Sequence, residues 1–342
     1  MKQRKRGALS WGVVLKLAVT IAVIGVIAWK LGGGGQLAEV LGRISSWHFV
    51  TAIAAVTLDR ALMTFKWGCL LRSQTIHMPF FRGMKIYCAS MIWGMFMPMT
   101  IGADAVRTYS SARTGLNASQ IVASIIVERI LGFFASLVMA LCGFVLLSRA
   151  GVLDARFNLI AWVGGIGLLS AGVFFLLSLQ PRLIEWLDRT PRRCRNLRPF
   201  QLLRELQTHY GAYRQRKGTL ASFFILSIFE QLLTIFYVWL VARGFGIDVG
   251  LVYIVGALPL AILISRIPIS VSGLGVFDGA FAFFMSLAGV SLAEAVAITV
   301  GTRIVETAAW LPWWLASVIQ TGGLARPVWI NSEIGGRPST SN

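Results

Sequence analysis

The sequence predicts an all-α, polytopic membrane bundle of roughly 7–8 spans, counting about 20 apolar residues per span. Three observations carry that reading. Hydrophobic residues make up 56% of the chain and charged residues only 13%, where a soluble domain carries about 25% charged residues. The mean hydropathy is +0.72. Long apolar runs recur from one end of the chain to the other. An outer-membrane barrel would instead show alternating segments of about ten residues.

The elements follow in order. Residues 1–10 are basic, with Lys2, Arg4, Lys5 and Arg6 ahead of the apolar run Trp11–Leu31. That run is long and no small-x-small cleavage site follows it, so an uncleaved first helix with a cytoplasmic N-terminus is expected. Gly32–Gly35 then forms an outer loop. Trp47–Leu71 is a second span that carries Asp59, Arg60 and Lys66. Ile86–Met97 is apolar but short and ends at Pro98, and Gly102–Gly115 is polar. Asn117–Val127 reads as an amphipathic lead-in to the span Ile130–Leu147, and Asn158–Leu179 is a further span. Residues 181–218 form a basic cytoplasmic loop, expected to lie against anionic lipid. The second half reads Leu220–Val241, Leu251–Ile264, Ala280–Val290 and Ala293–Ile319, with Pro312 expected to kink the last. Trp310, Trp313 and Trp314 suit an interfacial aromatic belt. The membrane domain is thus 11–320, and 321–342 is a short polar tail.

The net charge of +18 comes from 32 Lys+Arg against 14 Asp+Glu. The bases cluster in short loops beside apolar runs, which suits the positive-inside rule and a lipid surface. No nucleic-acid motif accompanies them. Cys69, Cys88, Cys142 and Cys194 make no CxxC pair, and His48, His77 and His209 make no zinc motif. No metal, cofactor or catalytic residue is expected.

Two places break the apolar pattern. Residues 96–107 read F-M-P-M-T-I-G-A-D-A-V-R, and residues 266–279 read R-I-P-I-S-V-S-G-L-G-V-F-D-G. Pro98 answers Pro268 and Asp104 answers Asp278; further on, Arg129-Ile130 answers Arg303-Ile304. An internal repeat explains this, as does chance likeness between apolar helices. Helix breaks are expected at Pro98, Gly102, Pro268, Gly273 and Gly275. Broken backbone at membrane depth exposes polar groups that need protein or a wet cavity to satisfy them. Each segment fits either a re-entrant hairpin or a tilted span. Short, interrupted segments at matching places in two halves point to a transporter binding site.

Charge gives the same pointer. Asp104, Arg107, Glu128, Arg129, Asp278, Arg303 and Glu306 lie in or beside apolar runs, where each charge costs roughly 2.5–3.5 kcal/mol on insertion scales. Glu128 and Arg129 are adjacent and point different ways; Arg303 and Glu306 are one turn apart and can face each other. These seven are the candidate substrate-binding residues. Ion pairs that only fix helix packing are the competing reading.

The run Gly102-Ala103-Asp104-Ala105-Val106-Arg107, then Glu128-Arg129-Ile130-Leu131-Gly132, then Pro268 through Gly273-Leu274-Gly275 with Asp278, resembles the lysylphosphatidylglycerol synthase transmembrane region. The resemblance covers roughly residues 10–320, and it departs at Ala103, where a glycine is usual, and at Asp278, where the acid is often Glu. It implies a multi-pass protein of the bacterial inner membrane. That protein would move a phospholipid, a hopanoid-type lipid or a polyprenol-linked lipid between leaflets. Arg107, Arg129 and Arg303 would hold a lipid phosphate, and the acids would balance those bases or carry protons. Nothing in the sequence indicates ion coupling. Only a short tail follows the membrane domain, so no synthase activity is expected. The alternatives are a membrane transferase acting on a lipid-linked substrate and an accessory subunit of a lipid-modifying complex.

Overall fold

The computed structural model describes residues 39, 45–95, 101–153, 165–167, 169, 170, 172, 173, 175, 198–265 and 275–320. The helices are α1 (Ser46–Ser73), α2 (Phe80–Met95), α3 (Ile101–Ala112), α4 (Ala118–Arg149), α5 (Arg198–Gly211), α6 (Lys217–Gly244), α7 (Leu251–Ser265), α8 (Val276–Leu287) and α9 (Leu292–Gln320). A short 3-10 turn, Ala212–Gln215, joins α5 to α6. The all-helical membrane bundle read from composition is therefore the architecture. Among the described residues, α1, α4 and α6 are long and apolar enough to cross a membrane. The 29-residue α9 is as long but carries Glu294, Arg303 and Glu306.

The helices repeat. The first half runs 28, 16, 12 and 32 residues, and the second runs 28, 15, 12 and 29. One register aligns Ser46 with Lys217 and Phe80 with Leu251; a second, after the breaks, aligns Ala118 with Leu292. The turns match too. After α1, Thr75 takes φ 64°, and after α6, Gly246 takes φ 72°. In each, the next amide reaches back to close the helix: Ile76 N–H to Leu71 O and Ile247 N–H to Ala242 O, both 3.0 Å. Gly115 (φ 85°) and Gly289 (φ 81°) end α3 and α8 at aligned positions. Closing a helix through a left-handed residue is the usual device, and glycine adopts it without Cβ strain. The internal repeat suggested by the sequence is thus present in the fold.

The two halves are inverted. The Ser45 amide at the start of α1 donates to the Gly244 carbonyl at the end of α6, 2.7 Å away. At the other end, the Tyr213 hydroxyl donates to the Leu70 carbonyl at 3.2 Å. Between them Lys66 Nζ donates to Ser227 Oγ at 3.0 Å. These three contacts make α1 and α6 antiparallel over their full length. A buried apolar core including Ala52, Val56, Val238, Val241 and Ala242 lies along the seam.

The hairpins follow from this arrangement. The Gln74 side chain donates to the His209 carbonyl at 3.1 Å. Glu205 accepts from Asn117 Nδ2 and Ser119 Oγ at 3.0 and 2.7 Å, which holds its carboxyl below the usual Glu range. So α5 straps the end of α1 to the start of α4, beside the start of α6. The α2–α3 pair, whose helices pack on each other, enters and leaves at that first end. The α7–α8 pair does the same at the second end. Each hairpin reaches into the other half, α2 onto α9 and α7 onto α4. On the first side the contact is aromatic, Phe81 with Trp313 and Trp93 with Trp314. On the second it is glycine. A Cβ on Gly143 would stand 2.8 Å from the Val255 carbonyl, and one on Gly256 would stand 2.3 Å from Leu147. Small residues let membrane helices approach this closely.

Several expected boundaries move. The lead-in Asn117–Val127 and the span Ile130–Leu147 are one helix, α4, because Glu128 and Arg129 find partners within the bundle and need not interrupt it. The polar stretch Gly102–Gly115 is mostly helix, α3. Gly102 sits in the first turn of α3, directly after residues 96–100, which lie outside the described residues; amides there lack helical partners anyway. Gly275 does cap a helix, at φ 78° before α8. Pro98, Pro268 and Gly273 lie outside the described residues, as do residues 1–38 and 321–342 and most of the expected span Asn158–Leu179. Pro312 lies inside α9, and Pro259, which the sequence reading passed over, lies inside α7.

Two outcomes test this fold. Gly143→Ala should lower the thermal midpoint in detergent, by the equivalent of about 1–3 kcal/mol for overpacking, while Gly132→Ala, with nothing within 4 Å, should leave it unchanged. Cysteines placed at Ser110 near the end of α3 and at Ser286 near the end of α8 should react with an impermeant maleimide from opposite sides of the membrane.

Candidate functional site

The repeat brings two Asp–Arg pairs to matching places. Asp104 stands in the first turn of α3 and Asp278 in the first turn of α8. Their partners, Arg129 on α4 and Arg303 on α9, each follow 25 residues later. Arg129 binds both carboxylate oxygens, Nε to Oδ2 at 3.1 Å and Nη2 to Oδ1 at 2.8 Å. Arg303 places Nη2 3.0 and 2.9 Å from the two oxygens of Asp278. Asp278 also accepts from the Gly275 amide at 3.0 Å, which fixes its rotamer and closes the start of α8. Neither arginine is sealed: the Arg129 side chain is 43% exposed and that of Arg303 37%. At 1.5 Å per residue each stands about 16 Å along its helix. Since α4 and α9 run in opposite directions, the two pairs sit at mirrored depths.

Arg107 and Glu128 belong elsewhere. Arg107 is only 1% exposed. Its guanidinium lies over the Trp67 and Tyr87 rings, 4.8 and 4.9 Å from their centroids, and pairs with Glu128 at 3.0 Å. The Tyr87 hydroxyl donates to the same carboxylate at 3.0 Å. This ties α1, α2, α3 and α4 together and buries Arg107, whose Nε and Nη2 have no hydrogen-bond partner. The aligned residues of the second half are Phe281 and Thr302, so the bolt exists once. Glu128 and Arg129 do point apart, one into this bolt and one toward Asp104.

Glu306 does not turn toward Arg303. The Tyr237 hydroxyl donates to Glu306 Oε1 at 2.9 Å, while Arg303 goes to Asp278. The α1–α6 seam holds two more ion pairs, Asp59 with Arg60 and Lys66 with Glu230. Lys66 also lies over the Phe223 ring. Tyr87 and Tyr237 were missed by sequence reasoning. A tyrosine inside an apolar run, whose hydroxyl needs a partner, was the signal available.

Inverted halves, a matching pair of short helices in each half and matching Asp–Arg pairs within the bundle define a polytopic membrane protein of the inverted-repeat type. The lysylphosphatidylglycerol synthase TM region is the family to which this chain belongs, its model matching residues 13–313. The chain is also similar to a UPF0104 membrane protein of Methanothermobacter thermautotrophicus, 24% identical over 326 residues that cover 87% of this chain and 92% of that one.

Arg107→Ala should destabilise the protein by about 3–5 kcal/mol, the cost of stranding a buried partner charge, read as a lower thermal midpoint. The double change Arg107→Phe with Glu128→Thr, which writes the second half's residues into the first, should recover much of that loss.

Proposed function

We propose that this protein moves a phosphate-bearing lipid between the leaflets of the inner membrane without catalysing a reaction. The supporting observation is the pair of partly exposed Asp–Arg couples at mirrored depths of an inverted repeat. Such repeats place substrate near the midplane and alternate access by moving one half against the other. A guanidinium offers five donors in a planar fork suited to phosphate. With two directions taken by an aspartate, Arg129 and Arg303 still have nitrogens to offer a phosphate oxygen. The acyl chains would stay in the bilayer. The anion meets a base whose charge is balanced when the site is empty, which spares the site an unpaired charge in hydrocarbon.

The first end would face the cytoplasm. Arg72, Arg82, Arg113, Arg204, Arg214, Arg216 and Lys217 gather there, as positive-inside topology asks. The same bases would meet anionic headgroups. The bolt around Arg107 would keep the α2–α3 hairpin fixed and leave the α7–α8 hairpin to move.

In proteoliposomes, the purified chain should redistribute a labelled anionic phospholipid between leaflets. Arg129→Ala and Arg303→Ala should each slow this at least tenfold, a loss of about 1.4 kcal/mol or more, with the folded fraction unchanged. Equal rates in wild type and both variants, for every lipid tested, would remove these pairs from the transport path.

A further inference from the structure

Among the described residues, five ion pairs lie within the bundle and one carboxyl, that of Glu306, stands outside them. Arg60 pairs with Asp59, Lys66 with Glu230, Arg107 with Glu128, Arg129 with Asp104 and Arg303 with Asp278. Glu306 has no cation of its own among the described residues; its partner is the Tyr237 hydroxyl. An uncompensated carboxylate in a low-dielectric interior costs several kcal/mol, which a bound proton removes.

Its surroundings are built to hold a proton. Tyr237 is 2% exposed and Asp59 0% exposed. Asp59 Oδ1 and Trp310 Nε1 are buried without hydrogen-bond partners. The Arg60 guanidinium lies over the Trp310 ring, 5.8 Å from its centroid. Trp310, one turn beyond Glu306 on α9, thus keeps an unused donor, and the Asp59–Arg60 pair against its ring keeps an unused acceptor. Glu306 itself is only partly buried. The charged and titratable groups that act on Glu306 are Arg60 from α1, Tyr237 from α6 and Arg303 from its own helix; behind them stand Asp59, Glu230, Tyr87 and Cys88, which act on Arg60 or answer to it, and Asp278, which pairs with Arg303.

We infer that Glu306, with Tyr237, forms a proton-binding site that biases the neighbouring Asp278–Arg303 pair. Protonated, Glu306 is neutral and shares its hydrogen with the phenol oxygen or accepts the phenol's. Deprotonated, it sets a negative charge one helical turn from Arg303 on α9, where it competes for that arginine. The aligned residue in the first half is Gly132. The Asp–Arg pairs obey the inverted repeat and the proton site breaks it. Two matching pairs alone would make the halves equivalent; a proton site on one half makes them differ with pH. This coupling rests on the transport reading, but the proton site itself does not.

The test has two arms. In the first, infrared difference spectra of the purified protein are recorded across a pH titration. A carboxylic-acid C=O band should appear and vanish with pH, be absent in Glu306→Gln, and keep its presence but shift its midpoint in Tyr237→Phe. Tyr237→Phe retains the arm if Glu306→Gln fails to fold. No titrating band, or a band unchanged in both variants, overturns the proposal; so does a band that answers to Na⁺ at fixed pH, which would make the site a metal-cation site. In the second arm, lipid redistribution in proteoliposomes should change severalfold with pH in wild type and lose that dependence in Glu306→Gln. A titrating band without lipid movement keeps the proton site and removes the transport reading. Lipid movement that ignores pH in wild type overturns the coupling.

Discussion

A charge inside hydrocarbon must have a partner within reach, and that requirement organises this molecule. Asp104 can occupy the first turn of α3 only because Arg129 approaches from α4, and Asp278 can occupy α8 only because Arg303 approaches from α9. The same rule sets Lys66 against Glu230 across the α1–α6 seam and seals Arg107 against Glu128 between two aromatic rings. Each pair spans two helices, except Asp59 with its neighbour Arg60. The pairs therefore act as locators for helices whose surfaces are otherwise uniformly apolar and could slide.

The bundle could be read from composition and apolar runs, and the span ends at α1, α6, α7 and α9 were close to the observed ones. The helix at Ile101–Ala112 could not. Its polar residues look like a loop until Arg107 is buried against Glu128 and Asp104 is paired with Arg129, contacts that need the fold. The continuity of α4 through Glu128 and Arg129 was hidden for the same reason, since a helix carries two charges through apolar surroundings only if other elements answer them. Inversion was not legible at all. It lives in contacts between Ser45 and Gly244 and between Leu70 and Tyr213, far apart in sequence.

Among the site residues, Asp104, Arg129, Asp278 and Arg303 emerged together because residue type and spacing recur in both halves. Arg107 and Glu128 were grouped with them by proximity in sequence, and burial sets them apart. Symmetric positions and asymmetric ones then divide the work. What both halves keep is partly open. What one half keeps alone is either a bolt, at Arg107, or a carboxyl without a cation, at Glu306.

The most direct measurement is an experimental structure of the protein in a bilayer disc of native lipid. The phosphate of a bound lipid should lie within hydrogen-bond distance of Arg129 or Arg303, with its acyl chains outside the bundle. Lipid phosphate confined to the basic surface near Arg72, Arg204 and Lys217, with both Asp–Arg pairs closed and shielded, would contradict the transport reading.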